Sequence, residues 1–375
     1  MGQRFLIFAL SRGLSVFGDM AAMSALAVHV FAETSSGLAL SGLFVARVVP
    51  RVFGAFAGTL SDRLDLRRLL IICDVLSGAL FAVMAVAQPS YWVLLALVLV
   101  AESVATVALP GSRTLVARSL PPERMGRANA VLMAATAMGF ASGAGFGGLA
   151  AGLWGYQYAL LANAGTFVVS ALLLTLVPRV PPAPTTSSTV DGVRALLADR
   201  EMVVVAVGMV GVALAAAMDR PALVALTQGE LDAGGLGYGI ALGAISIGVL
   251  AAAAFGGKQL FLTGILLQAA GHLLFGLAPW IALVAAAALV AGYGNGLENV
   301  SGTTLLQRAA PAGATGTVMG AVVSATFLAD ALGSLIGGPL VDLLGPRPVF
   351  WVASVLMVVC ALVAKTSLQR RACKG

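Results

Sequence analysis

Charge is what this 375-residue chain has least of: Asp, Glu, Lys and Arg make up 10% of it, against roughly a quarter in a soluble domain. With 59% hydrophobic residues and a mean hydropathy of +0.99, its main solvent is not water. Cysteine is scarce too. Cys73, Cys360 and Cys373 stand far apart without metal-ligand spacing, which excludes a disulfide framework and a zinc site. Aromatic residues are 7% and do not interleave with basic clusters, so the net charge of +6 does not indicate nucleic acid. Missing as well are a Walker loop, a nucleophile paired with a base, and any polar stretch large enough for a second domain. Catalysis, ATP as a driver, a cofactor and a metal are therefore not expected.

Long apolar runs are present instead. Taking Gly, Pro and charge clusters as breakers, the sequence predicts twelve spans: 5–31, 37–60, 69–87, 91–112, 129–153, 158–177, 202–227, 236–255, 259–277, 280–305, 318–343 and 349–364. The expected class is an all-α membrane protein of twelve transmembrane helices. The amino-terminal run is too long for a cleaved signal and reads as the first span. Seventeen of the 22 Lys and Arg residues fall in alternate connections that include both termini. Arg347 alone falls in the other set, and Arg12, Arg47, Arg51 and Arg220 lie inside spans. By the positive-inside rule both termini are expected in the cytoplasm, in a cell inner membrane.

The chain also matches itself at an offset of 190 residues. Thr114, Leu115, Arg118, Pro121 and Gly126 meet Thr304, Leu305, Arg308, Pro311 and Gly316; Gly143, Gly147, Gly148, Leu153 and Gly155 meet Gly333, Gly337, Gly338, Leu343 and Gly345. Two six-helix halves, 1–178 and 202–375, are expected to repeat in the same orientation about a pseudo-twofold along the membrane normal. The Pro- and Ser/Thr-rich stretch 179–201 between them reads as a cytoplasmic linker.

Five charges crowd into "GTLSDRLDLRR", residues 58–68. A topogenic turn needs the arginines but not Asp62. Gly58-x-Leu60-Ser61-Asp62-Arg63-x-x-x-Arg67-Arg68, between a second and a third span, resembles the signature loop of the major facilitator superfamily, with Asp65 at the usual second glycine. That resemblance implies a conformational latch, in which Asp62 accepts hydrogen bonds from an arginine or a helix end, braced by Arg63, Arg67 and Arg68. The corresponding second-half loop, "FGGKQ", keeps only Lys258. "SRGLSVFGDM", "ARVVPRVFGAFAGTLSDR" and "ANAVLMAATAMGFASGAGFGGLAAGLWG" resemble the exporter branch that holds macrolide-efflux and enterobactin-exporter-like proteins.

"GAGFGG", 143–148, satisfies a dinucleotide-loop pattern but lacks the preceding strand. Gly139, Gly143 and Gly147 repeat every four residues and read as a flat face for a second helix. With Gly148 they resemble the fifth-span motif of facilitator antiporters, whose usual proline is Ala144 here.

Ionisable groups inside a span cost about 2.5 to 3.5 kcal/mol each on insertion scales, so they are candidates for function. At ~1.5 Å rise per residue, Asp19 lies roughly 20 Å into its span and Arg47 at a similar depth, where they can pair. Arg51 follows Arg47 by one turn, and Arg12 stands two turns from Asp19. Glu102, Asp219, Arg220 and Asp330 fall near mid-membrane by the same arithmetic. Asp19, Glu102, Asp219 and Asp330 are the candidate proton-coupling acids; Arg12, Arg47, Arg51, Arg220, Asn295 and Glu298 are candidates for cavity or charge-pair roles. His272 stands alone in the ninth span and reads as a satisfied or lipid-edge residue.

The expected activity is secondary export of a small amphiphilic compound, a drug, antibiotic or siderophore, by proton antiport with alternating access. The expected partners are that substrate, protons and the lipid bilayer, with the chain a monomer. The alternatives are a facilitator that imports a small nutrient or flips a lysolipid, and a non-transporting membrane sensor, against which the absence of a sizeable soluble domain argues.

Overall fold

The computed structural model describes residues 3–53, 65–119, 122–177, 194, 196–255, 260–310 and 315–372. Twelve α-helices account for almost all of these: α1 (Gln3–Thr34), α2 (Gly37–Val52), α3 (Leu66–Ala87), α4 (Tyr91–Ser119), α5 (Pro122–Leu153), α6 (Tyr156–Leu174), α7 (Arg200–Ala225), α8 (Gly234–Phe255), α9 (Phe261–Leu277), α10 (Ile281–Ala309), α11 (Thr315–Leu344) and α12 (Pro346–Ala372). No strand occurs among the described residues. By length and composition nine of the described helices can cross a membrane; α5 is not among the nine, α9 is apolar but only 17 residues long, and α2 is described over 16 residues.

Several helices overrun the apolar spans. α5 begins at Pro122 rather than at 129, and α12 runs from Pro346 to Ala372 rather than from 349 to 364. Apolarity marks the bilayer core of about 20 residues, whereas a helix continues into the headgroups while its backbone bonds persist. Pro122 and Pro346 stand at helix starts, where a missing N–H loses no intrahelical bond. α7 ends in a π-helical turn, Leu226–Glu230.

The chain divides into two compact units. One comprises Met1–Glu33, Val49–Thr186 and Gly234–Gly243; the other Thr34–Val48, Ser187–Ala233 and Ala244–Gly375. In the first unit, α5 lies against α1 so closely that a Cβ on Gly139, Gly143 or Gly147 would strike the backbone carbonyls of Gly13, Phe17 and Ala21. The same geometry recurs in the second unit, where Cβ atoms on Gly333 and Gly337 of α11 would strike the carbonyls of Leu214 and Met218 of α7. Gly143 and Gly147 become Gly333 and Gly337 at the offset of 190, and their partners on α1 and α7 are likewise four residues apart. Where lipid is as apolar as Leu, such close van der Waals approach replaces the hydrophobic effect in joining helices.

Two breaks in the second unit's backbone ladder are repaired by serine hydroxyls. Pro221 cannot donate to the carbonyl of Ala217, and Ser334 Oγ approaches that oxygen at 3.5 Å. Ser41 Oγ donates to the Ser334 carbonyl and accepts from Gly338 N at 2.9 Å, entering the α11 ladder one residue before Pro339. At the adjacent start of α2, Asp342 accepts from Gly37 N (2.6 Å), Leu38 N (2.9 Å) and Ser36 Oγ (3.1 Å). Gly37 N and Leu38 N are orphan donors of a helix N-terminus, where a carboxylate is favoured by charge and geometry.

Candidate functional site

Buried charges are held in pairs that bridge helices. In the first unit Arg12 of α1 bonds Asp74 of α3 at 2.5 Å and Ser170 of α6 at 2.6 Å, and Ser170 Oγ donates to Asp74 at 2.6 Å. All three are buried. The sequence places Arg12 two turns from Asp19 on its own helix; the structure ties it instead to Asp74, on another helix. Glu102 of α4 receives both Nη2 (2.7 Å) and Nε (3.2 Å) of Arg51 on one carboxylate oxygen. Asp19, partly buried, accepts from Asn163 Nδ2 of α6 at 3.4 Å. Gly18 permits that approach, since a Cβ there would strike the Asn163 and Thr166 side chains. Arg47 is partly buried one turn before Arg51, in the other unit from Asp19.

In the second unit the neighbours Asp219 and Arg220 point different ways, as residues about 100° apart on a helix must. Arg220 makes a two-pronged pair with Asp330 of α11, at 2.8 and 3.0 Å. Asp219 Oδ2 meets His272 Nε2 of α9 at 2.5 Å. Of the two readings of His272 the satisfied one holds and the lipid-edge one does not: it is 4% exposed and both ring nitrogens have partners. Its sequence gave no hint of the partner, which lies 53 positions away on another helix. Asn295 Nδ2 of α10 approaches Gln268 Oε1 at 3.4 Å, and Asn299 Nδ2 joins the Asn295 carbonyl and Glu298 Oε2, each at 3.1 Å. Glu298 itself is buried.

Gly58, Asp62 and Arg63 lie outside the described residues, as do Lys258 and 178–193 of the linker region. Arg67 and Arg68 open α3, and Asp65 caps it, accepting from Arg68 N at 3.2 Å. That explains the aspartate at the motif's usual glycine: a short acceptor at the N-cap satisfies an orphan N–H. Gly148 abuts the Gly235 carbonyl of α8 within the first unit.

Membrane-length helices that bury paired charges and expose apolar side chains define a multi-pass membrane protein. The family model of the Major Facilitator Superfamily matches residues 8–230 and again 202–372, and the chain belongs to that superfamily. An uncharacterised MFS-type transporter of Bacillus subtilis (strain 168), YfiS, is 25% identical over 378 residues, covering 94% of this chain and 90% of that protein. Among solved structures, a bacterial homologue of the human lysosomal transporter Spinster superposes with a TM-score of 0.76 at 13% identity, covering 98% of this chain and 99% of that one. The nucleoside transporter NupG gives 0.74 at 15% identity over 98% and 99%. At such identities the likeness shows the fold alone.

Proposed function

We propose that this transporter exports a small amphiphilic compound by proton antiport, with Asp19 as the principal coupling acid. One observation carries the reading: each of the four acids Asp19, Glu102, Asp219 and Asp330 lies within a membrane-length helix and bonds a polar side chain of another helix. Charges of this kind are retained against the cost of insertion when they move ions or hold a cavity. A carboxyl whose distance from its partners or access to water changes between states loads a proton on one side and releases it on the other. The exporter-like motifs favour the outward direction, and Asp62 with Arg63, Arg67 and Arg68 is the proposed cytoplasmic latch. Import of a small nutrient is the alternative, and the direction of substrate-stimulated proton flux in vesicles separates the two.

The test is a resistance and accumulation screen over antibiotics and siderophores, followed by transport in proteoliposomes. Asp19→Asn is expected to abolish uphill export driven by a pH difference while substrate binding persists. A variant that still concentrates the compound on a pH difference alone would remove Asp19 from this role.

A further inference from the structure

His272 Nδ1 lies 2.7 Å from the Gln268 carbonyl oxygen. A carbonyl has no hydrogen to give, so Nδ1 carries one and donates it. The other nitrogen, Nε2, faces Asp219 Oδ2 at 2.5 Å. A bare Nε2 against an ionised carboxylate would oppose two lone pairs at that distance. One proton must therefore lie between them, whether the pair is written as imidazolium and carboxylate or as imidazole and carboxylic acid. Losing it turns an attraction between α7 and α9 into a repulsion, so the occupancy of this proton and the contact between the two helices are linked.

The surroundings leave the pair to itself. Arg220, next to Asp219 on α7, is committed to Asp330 of α11. Arg347 of α12 bonds the Gly276 carbonyl (3.1 Å), one turn beyond His272, and Glu230 (2.5 Å). Phe275 covers the ring edge-on, with centroids 5.9 Å apart. On α10, Arg308 lies in the last turn, and Glu298 lies in the polar strip that Gln268 shares with Asn295 and Asn299. Gln268 Nε2, Glu298 Oε1 and Ser301 Oγ are buried there without a hydrogen-bond partner among the described residues. Such atoms are what a water-borne proton path through the α9–α10 seam requires.

We infer that Asp219 and His272 form a second proton-binding site, separate from Asp19, holding one exchangeable proton between Oδ2 and Nε2 during the transport cycle. This rests on the proton-driven reading above and adds a residue to it that the sequence had set aside. The chain has two histidines, so His29→Gln leaves His272 as the only one. In that background, ¹⁵N-histidine spectra of the full-length protein in lipid nanodiscs between about pH 5 and pH 9 report each ring nitrogen separately. Nδ1 is expected to stay protonated while Nε2 passes from protonated to bare. With Asp219→Asn, whose amide donates to Nε2, the nitrogen is expected to stay bare throughout. An Nε2 resonance that does not move in the native pair, or that moves identically in Asp219→Asn, overturns the site. In proteoliposomes, His272→Gln is expected to flatten the dependence of export rate on pH over the range in which the pair titrates. An unchanged profile removes the pair from the cycle. Proton-driven export with an unmoving Nε2 refutes this site alone; a titrating Nε2 in a protein whose export ignores the pH gradient refutes the antiport reading, and with it the pair's part in transport.

Discussion

Arg12 shows how a buried charge is held rather than tolerated. Its guanidinium sits between Asp74 and Ser170, and the Ser170 hydroxyl also donates to Asp74, so three helices share one neutral cluster. The cluster is buried, so cutting one member leaves the other charged and uncompensated. Arg12→Met is expected to destabilise the folded protein by about 3 to 5 kcal/mol, whereas the double variant Arg12→Met, Asp74→Leu recovers most of that loss. Thermal unfolding of the purified variants in one detergent measures both. Equal destabilisation by the single and double changes would mean that packing around Arg12, and not the charge pair, carries the stability.

For the helices, the decisive residues are those without side chains. Gly143 is pressed against the Phe17 carbonyl, while Gly145, two residues on, has nothing within 4 Å of where its Cβ would be. Gly143→Ala must push α5 from α1 and is expected to lower stability by roughly 1 to 3 kcal/mol. Gly145→Ala, on the open side of the same helix, is expected to be neutral or slightly stabilising. Comparing the two by thermal unfolding separates close approach from helix propensity, which is the same for both. At the start of α2 the Asp342 carboxylate does what a capping residue does, from another helix. Asp342→Ala is expected to speed amide exchange at Gly37 and Leu38 selectively; protection unchanged at both would show that the cap is dispensable.

Over the whole molecule, exposed Val86, Trp92, Leu172, Val355 and Leu362 put apolar surface where a soluble protein would put charge. A bilayer is the solvent for such a surface. Which way the helices run through it is expected from the basic connections, with both termini in the cytoplasm. Single cysteines at Ala32 and Gln88, both exposed near helix ends, are expected to react with an impermeant reagent from outside intact cells. Labelling of both only after the cytoplasm is opened would invert the topology and the direction assigned to the proton.

Length, hydropathy and the breaker residues were enough to locate twelve helices, nine of them described as long and apolar enough to cross a bilayer, where a span without internal hydrogen bonding cannot exist. The glycine faces were legible too, because a four-residue spacing on one side of a helix has few other uses. The offset repeat and the crowded loop carried the family. Partner choice was not legible. Arg12 meets Asp74, and Asp219 meets His272, across separate helices whose mutual rotation no one-dimensional pattern records. Depth along each helix follows from counting residues at a fixed rise, but the direction a side chain faces depends on which helices pack beside it, and only the tertiary structure decides that.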